Sequence, residues 1–88
     1  MPERPQLTMY STSWCGYCHR LAGQLDREGI EFSVVDIEAD PDAAAVVERV
    51  NDGNRTVPTV RVFPAGGDSE VVMTNPSLSE VKQALGLS

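Results

Sequence analysis

Apolar positions along the chain change period several times, and each change marks an element. Leu7-Thr8-Met9-Tyr10 reads as a short strand. From Gly16 to Glu28, Cys18, Leu21, Ala22 and Leu25 recur at helical spacing while Arg20, Gln24 and Arg27 lie elsewhere. That helix should end at Gly29 as its C-terminal cap. Phe32-Ser33-Val34-Val35-Asp36-Ile37, rich in β-branched and aromatic residues, is a second strand. Asp40-Pro41 supplies an N-cap and a first-turn proline for a helix carrying Ala44, Val47 and Val50, which Asn51-Asp52-Gly53-Asn54 stops. Thr59–Phe63 is the third strand, Pro64-Ala65-Gly66-Gly67-Asp68 a hairpin turn, and Glu70–Met73 the last strand. The final helix starts near Asn75-Pro76-Ser77 and turns Leu78, Val81 and Leu85 toward the core. Ser77 and Glu80 fit a capping box, and Gly86 closes the helix.

This order predicts an α/β fold, with a right-handed parallel crossover linking the first two strands and a four-stranded mixed sheet between two layers made by three helices. The chain has 88 residues, which suit one domain with a single modest core. Residues 1–6 are polar with two prolines and are expected to be a loose lead. No internal repeat or low-complexity tract is present, and Ala43–Val47 reads as core packing.

Charge narrows the function. A formal charge of −6 and a pI near 4.5 argue against nucleic acid and anionic membrane surfaces as partners. The N-terminus lacks an apolar signal core, and no apolar run approaches the length of a membrane span, so a cytoplasmic protein is expected.

The chemistry lies in Trp14-Cys15-Gly16-Tyr17-Cys18, which holds the only two cysteines. Strand before and helix after place Cys15 at the first turn, facing unpaired N–H groups and the positive end of the helix dipole. A thiolate is favoured there: cysteines at such positions titrate at roughly 3.5–7.5 instead of about 8.5. Cys15 is then a nucleophile near neutral pH, and Cys18, one turn on and facing the core, can close onto it as the resolving thiol. Structural zinc needs about four ligands, whereas the pair with His19 offers at most three. A structural disulfide across so short a loop adds little stability. Two inert thiols are the third alternative. In a reducing compartment a lone C-x-x-C favours catalysis over all three.

Thr56-Val57-Pro58 precedes the third strand. Proline at the first residue of a strand is sterically acceptable without a special role. The functional alternative is a cis Val57–Pro58 bond that turns the Val57 backbone toward the thiols, to pair with an extended substrate as an added strand does.

With Cys15-Gly16-Tyr17-Cys18 opening a helix after one strand and Thr56-Val57-Pro58 before another, nearly the whole chain resembles the thioredoxin superfamily, and within it the glutaredoxins. Ser13–Cys18, Gly53–Val60 and Thr74-Asn75-Pro76-Ser77 resemble the mycoredoxins of actinobacteria. The resemblance implies Cys15 as attacking thiolate, Cys18 as resolving thiol, Pro58 as a cis-proline facing them, and Val57 offering its backbone to the bound thiol compound. Trp14 and Tyr17 would form an apolar rim.

Two departures from glutathione-using relatives bear on substrate. Thr12 stands where they commonly carry lysine, and Thr74-Asn75-Pro76-Ser77 where they carry a Gly-Gly-x-Asp turn. The similar Gly66-Gly67-Asp68 precedes the last strand instead of following it. Both charged contacts suited to a zwitterionic tripeptide are thus missing. Mycothiol has an acetylated amine and no free carboxylate, so Thr12, Thr74, Asn75 and Ser77 could serve it as hydroxyl and amide partners. Asn75 and Ser77 could equally cap the helix. Arg55 is either near the site or solvated, and His19 is expected to be exposed.

The implied activity is removal of mycothiol from mycothiolated proteins by a monomer with no tightly bound cofactor or metal. Mycothiol is the co-substrate, and NADPH-dependent mycothiol disulfide reductase recycles it. The alternatives are a redoxin reduced directly by thioredoxin reductase, and an iron–sulfur module, since Gly16 in place of proline relaxes the loop.

Overall fold

The computed structural model describes residues 6–64 and 70–86, so most of the predicted lead and the Gly66-Gly67-Asp68 turn lie outside the described residues. The first strand, β1 (Gln6–Ser11), is longer than its apolar run: Gln6 pairs with Phe63, which puts it in the sheet instead of the predicted lead. α1 (Gly16–Arg27) follows, ending at Glu28 with Gly29 at φ 70°, a conformation in which glycine avoids the penalty of a side chain. β2 (Ser33–Asp36) is shorter than predicted at both ends. α2 (Pro41–Val50) begins as expected: Asp40 Oδ1 accepts from the N–H groups of Asp42 and Ala43, both at 3.1 Å. β3 (Thr59–Phe63), β4 (Val71–Thr74) and α3 (Leu78–Leu85) complete the order. β4 sits one residue later than predicted, and its pairing with β3 makes the expected hairpin.

The sheet runs β2-β1-β3-β4, with β1 parallel to β2 and antiparallel to β3. Alternate strand residues face opposite layers. Leu7, Met9, Val60 and Val62 meet Cys18, Leu21 and Leu25 of α1 and Val81 and Leu85 of α3. On the other face Tyr10 packs with Ile37 and with Ala43, Ala44 and Val47 of α2. The four-stranded mixed sheet between helical layers, with three helices among the described residues, is the predicted architecture.

Polar contacts pin the layers at their rims. Lys82 Nζ donates to Glu28 Oε1 at 2.8 Å, joining α3 to the end of α1 and holding the exposed Glu28 carboxyl below its ordinary range. Arg61 Nη1 donates to Tyr10 Oη at 3.1 Å, and Arg61 also grips Glu70, so the guanidinium titrates even higher than usual. Ser77 Oγ accepts from Glu80 N–H at 3.1 Å while Glu80 Oε1 accepts from Ser77 N–H at 3.0 Å, the predicted capping box. Ser77→Ala should cost about 1 kcal/mol and lower the thermal midpoint by about 5 °C. A melt of the purified variant tests this, and an unchanged midpoint would refute the cap's contribution.

Candidate active site

Strand directions bring four loops to one edge of the sheet. Parallel β1 and β2 both end there, antiparallel β3 starts there, and β4 ends there. In spatial order these are the acidic segment after β2, the cysteine loop after β1, the Thr56–Pro58 segment before β3, and Thr74–Ser77, which begins at the last residue of β4.

Within the cysteine loop, Cys15 is the N-cap of α1, with extended backbone, and its sulfur accepts from Cys18 N–H at 3.2 Å. The helix N-terminus therefore aims a donor at Sγ, as the spacing predicted. Cys15 and Cys18 are joined as a disulfide with their Cα atoms 5.3 Å apart. Both are buried, Cys15 at 4% exposure and Cys18 at 2%, and belong to the core cluster under α1. A Cβ at Gly16 would meet nothing within 4 Å, so the position faces open space.

Trp14 and Tyr17 stand at 71% and 64% exposure, unusual for large aromatic side chains, on either side of Cys15 in sequence. The Trp14 indole N–H donates to Glu38 Oε2 at 3.3 Å in the segment after β2. That segment is fixed in turn by Glu38 N–H on Asp36 Oδ1 at 2.9 Å and by Ile37 N–H on Ser11 O at 3.0 Å.

The Val57–Pro58 peptide is cis, Val57 is half-buried, and Pro58 is fully buried. Asn75 has φ 49°, in the left-handed region where asparagine is among the better-tolerated side chains. Its N–H donates to Pro58 O at 2.7 Å, so it ties the two loops together and leaves the capping of α3 to Ser77. Thr74 Oγ1 donates to Asn51 Oδ1 at 2.6 Å, which leaves that hydroxyl to act toward other groups as an acceptor. Thr12 is buried at 4% exposure, and its Oγ1 has no hydrogen-bond partner among the described residues.

Arg55 pairs with Glu48 at 3.7 Å and is solvated. His19 is exposed, with Nε2–H donating to Ser13 O at 3.0 Å. Among the described residues no group of three or more metal-ligating side chains converges. Sequence reasoning did not single out Glu38 or Asn51. Each meets its partner across more than twenty residues, where periodicity carries no signal.

A reversible disulfide at a helix N-cap, beside a cis-proline segment on such a sheet, can exchange with incoming thiols, and it defines the class: a thiol-disulfide oxidoreductase of thioredoxin fold. The chain belongs to the glutaredoxin family, whose sequence profile, described as Glutaredoxin, matches residues 7–64. Mycoredoxin 1 of Corynebacterium glutamicum is 44% identical over 75 residues, covering 85% of this chain and 86% of that protein, and the chain is mycoredoxin-like. A Mycobacterium tuberculosis protein carrying the glutaredoxin name is 52% identical over 79 residues, covering 90% of this chain and 88% of its own. Among solved structures, the Archaeoglobus fulgidus glutaredoxin superposes with a TM-score of 0.62 at 29% identity, covering 97% of this chain and 87% of its own.

Proposed function

We propose that this protein reduces mixed disulfides between proteins and mycothiol. The observation that carries the substrate choice is the uncharged loop after β4. Thr74, Asn75 and Ser77 carry hydroxyl and amide groups at the sheet edge that also bears the redox pair, in the segment where a zwitterionic tripeptide would want a carboxylate. The similarity to Mycoredoxin 1 supports the same choice.

The Cys15 thiolate attacks the mycothiol sulfur of the mixed disulfide. The protein's sulfur leaves with the electron pair and takes a proton, and a Cys15–mycothiol disulfide forms. A second mycothiol thiolate then attacks the mycothiol sulfur of that disulfide. It releases the Cys15 thiolate and yields mycothiol disulfide, which a separate reductase returns to two thiols with two electrons from NADPH. On full protein disulfides, Cys18 instead attacks Cys15 Sγ, expels the bound thiol and closes the Cys15–Cys18 disulfide.

Val57 and Asn75 flank the bound thiol, joined through the Asn75 N–H to Pro58 O bond. Ser77 keeps its hydroxyl proton for a ligand, since in the cap it acts only as acceptor. Thr12, whose carbonyl accepts from the Cys15 N–H at 3.3 Å, is the hydroxyl candidate nearest the attacking cysteine in sequence. Trp14 and Tyr17 form the outer rim. In this reading the chain works in the cytoplasm as a monomer.

One client protein carrying either a mycothiol or a glutathione mixed disulfide, each supplied with its own thiol and recycling reductase, tests the substrate choice. Preference for mycothiol by about tenfold or more in kcat/KM is expected, because Thr12 and Thr74–Ser77 offer hydroxyl and amide partners in place of the charged contacts a zwitterionic tripeptide would use. Equal use of glutathione would discard the binding account and leave the Cys15 chemistry standing.

A further inference from the structure

Asn51 belongs to none of the four loops, makes no hydrogen bond to either cysteine among the described residues, and yet joins two walls of the site. It caps the C-terminus of α2 and is half-buried. Both amide protons and one lone pair of the amide oxygen are used. Nδ2 donates to Val47 O at 2.9 Å and to Thr59 Oγ1 at 3.2 Å, while Oδ1 accepts from Thr74 Oγ1 at 2.6 Å. Thr59, fully buried, passes its own proton to Thr56 O at 2.7 Å.

The chain of donors has one direction. Thr74 gives its only hydroxyl proton to Asn51 and Thr59 gives its own to Thr56, so the residue between them must accept from the first and donate to the second. A primary amide does both. A carboxylate of the same shape would turn a second acceptor toward Val47 O, and an apolar side chain would leave the buried Thr59 hydroxyl short of a donor. Because Thr56 and Thr59 bracket Val57-Pro58, and Thr74 precedes Asn75, this side chain ties both loops to α2. The Asn75 N–H to Pro58 O bond closes the circuit from the other side.

We propose that Asn51 is a positioning residue that sets the separation between the Val57–Pro58 backbone and Asn75, and through it the fit of the low-molecular-weight thiol. This rests on the reading that these two loops hold that thiol.

Asn51→Ala and Asn51→Asp test it, with three readouts. KM for the protein–mycothiol mixed disulfide is expected to rise about tenfold with kcat within about twofold of wild type, since misplaced binding groups weaken the complex and leave the thiolate intact. The rate at which the reduced protein reacts with 4,4′-dithiodipyridine, a small disulfide that needs only the Cys15 thiolate, should stay within about twofold. Amide exchange at Thr59 and Asn75 should quicken about tenfold while that at Cys18 does not change. Thr74→Val, which cuts only the β4 link, should quicken Asn75 and leave Thr59 protected. It also supplies the exchange test if the Asn51 variants fail to fold.

Unchanged KM with unchanged exchange overturns the proposal, as does an equal loss with 4,4′-dithiodipyridine, which would place the effect on Cys15. Should the wild-type protein turn out not to prefer mycothiol, the KM and kcat split is read with the thiol it does use. The exchange readout needs no thiol, so failure of the substrate reading and failure of the Asn51 proposal remain distinguishable.

Discussion

Cys15→Ser is expected to reduce turnover with every disulfide substrate to the rate seen without enzyme, whereas Cys18→Ser should keep the reduction of mycothiol mixed disulfides within about tenfold of wild type. The asymmetry follows from position. Cys15 caps α1, where a charged sulfur meets the positive end of the helix, and a serine hydroxyl at the same place stays protonated and unreactive toward sulfur. Cys18 contributes two things to its neighbour, and only one is a side chain. The N–H that donates to Cys15 Sγ at 3.2 Å belongs to the backbone and survives the substitution. What is lost is the thiol that resolves, and the one-cysteine route does not need it. Cys18→Ser should therefore lose reduction of full protein disulfides and accumulate Cys15 bound to mycothiol, visible by mass spectrometry when free mycothiol is withheld. Loss of mixed-disulfide activity in both variants would sink the one-cysteine route.

The parts of the site that are local in sequence could be read from it. Cys15 at a helix start was legible because the apolar alternation of Leu7 to Tyr10 gives way to the helical spacing of Cys18, Leu21 and Leu25. Ser77 and Glu80 announced their cap because both partners lie within one turn. Boundaries moved where tertiary pairing overrode composition. Gln6 is polar but gains a ladder partner in Phe63, whereas Phe32 and Ile37, apolar, lie beyond the pairing of Ser33–Asp36 with β1. Asn75 has cap chemistry, yet its left-handed backbone directs its N–H to Pro58, a carbonyl seventeen residues upstream that only the fold brings near. The Trp14–Glu38 and Thr74–Asn51 bonds are of the same kind. Each wall of the site is thus legible alone. How the walls are held against one another is a property of the fold.

That fold places its chemistry directly on its core, and Leu25→Ala should show the cost. Leu25 is fully buried on α1 in the cluster that also contains both cysteines, Met9, Val60 and Val81. Truncation removes its contacts and leaves a cavity that rigid neighbours on the sheet and on α3 fill only in part, for a loss of about 2–5 kcal/mol. For a domain of this size that is a large share of a total stability of about 5–15 kcal/mol, and the thermal midpoint should fall by about 8 °C or more, at about 4–8 °C per kcal/mol. Val34→Ala is the comparison: Val34 stands 55% exposed on the edge strand β2, and its loss should stay within about 0.5 kcal/mol. Urea titration of the oxidised proteins measures both. Equal losses for the two variants would refute the core described around α1. If instead only Leu25→Ala falls sharply while its folded fraction keeps wild-type kcat, the cluster supports the cysteines as a platform without tuning their reactivity.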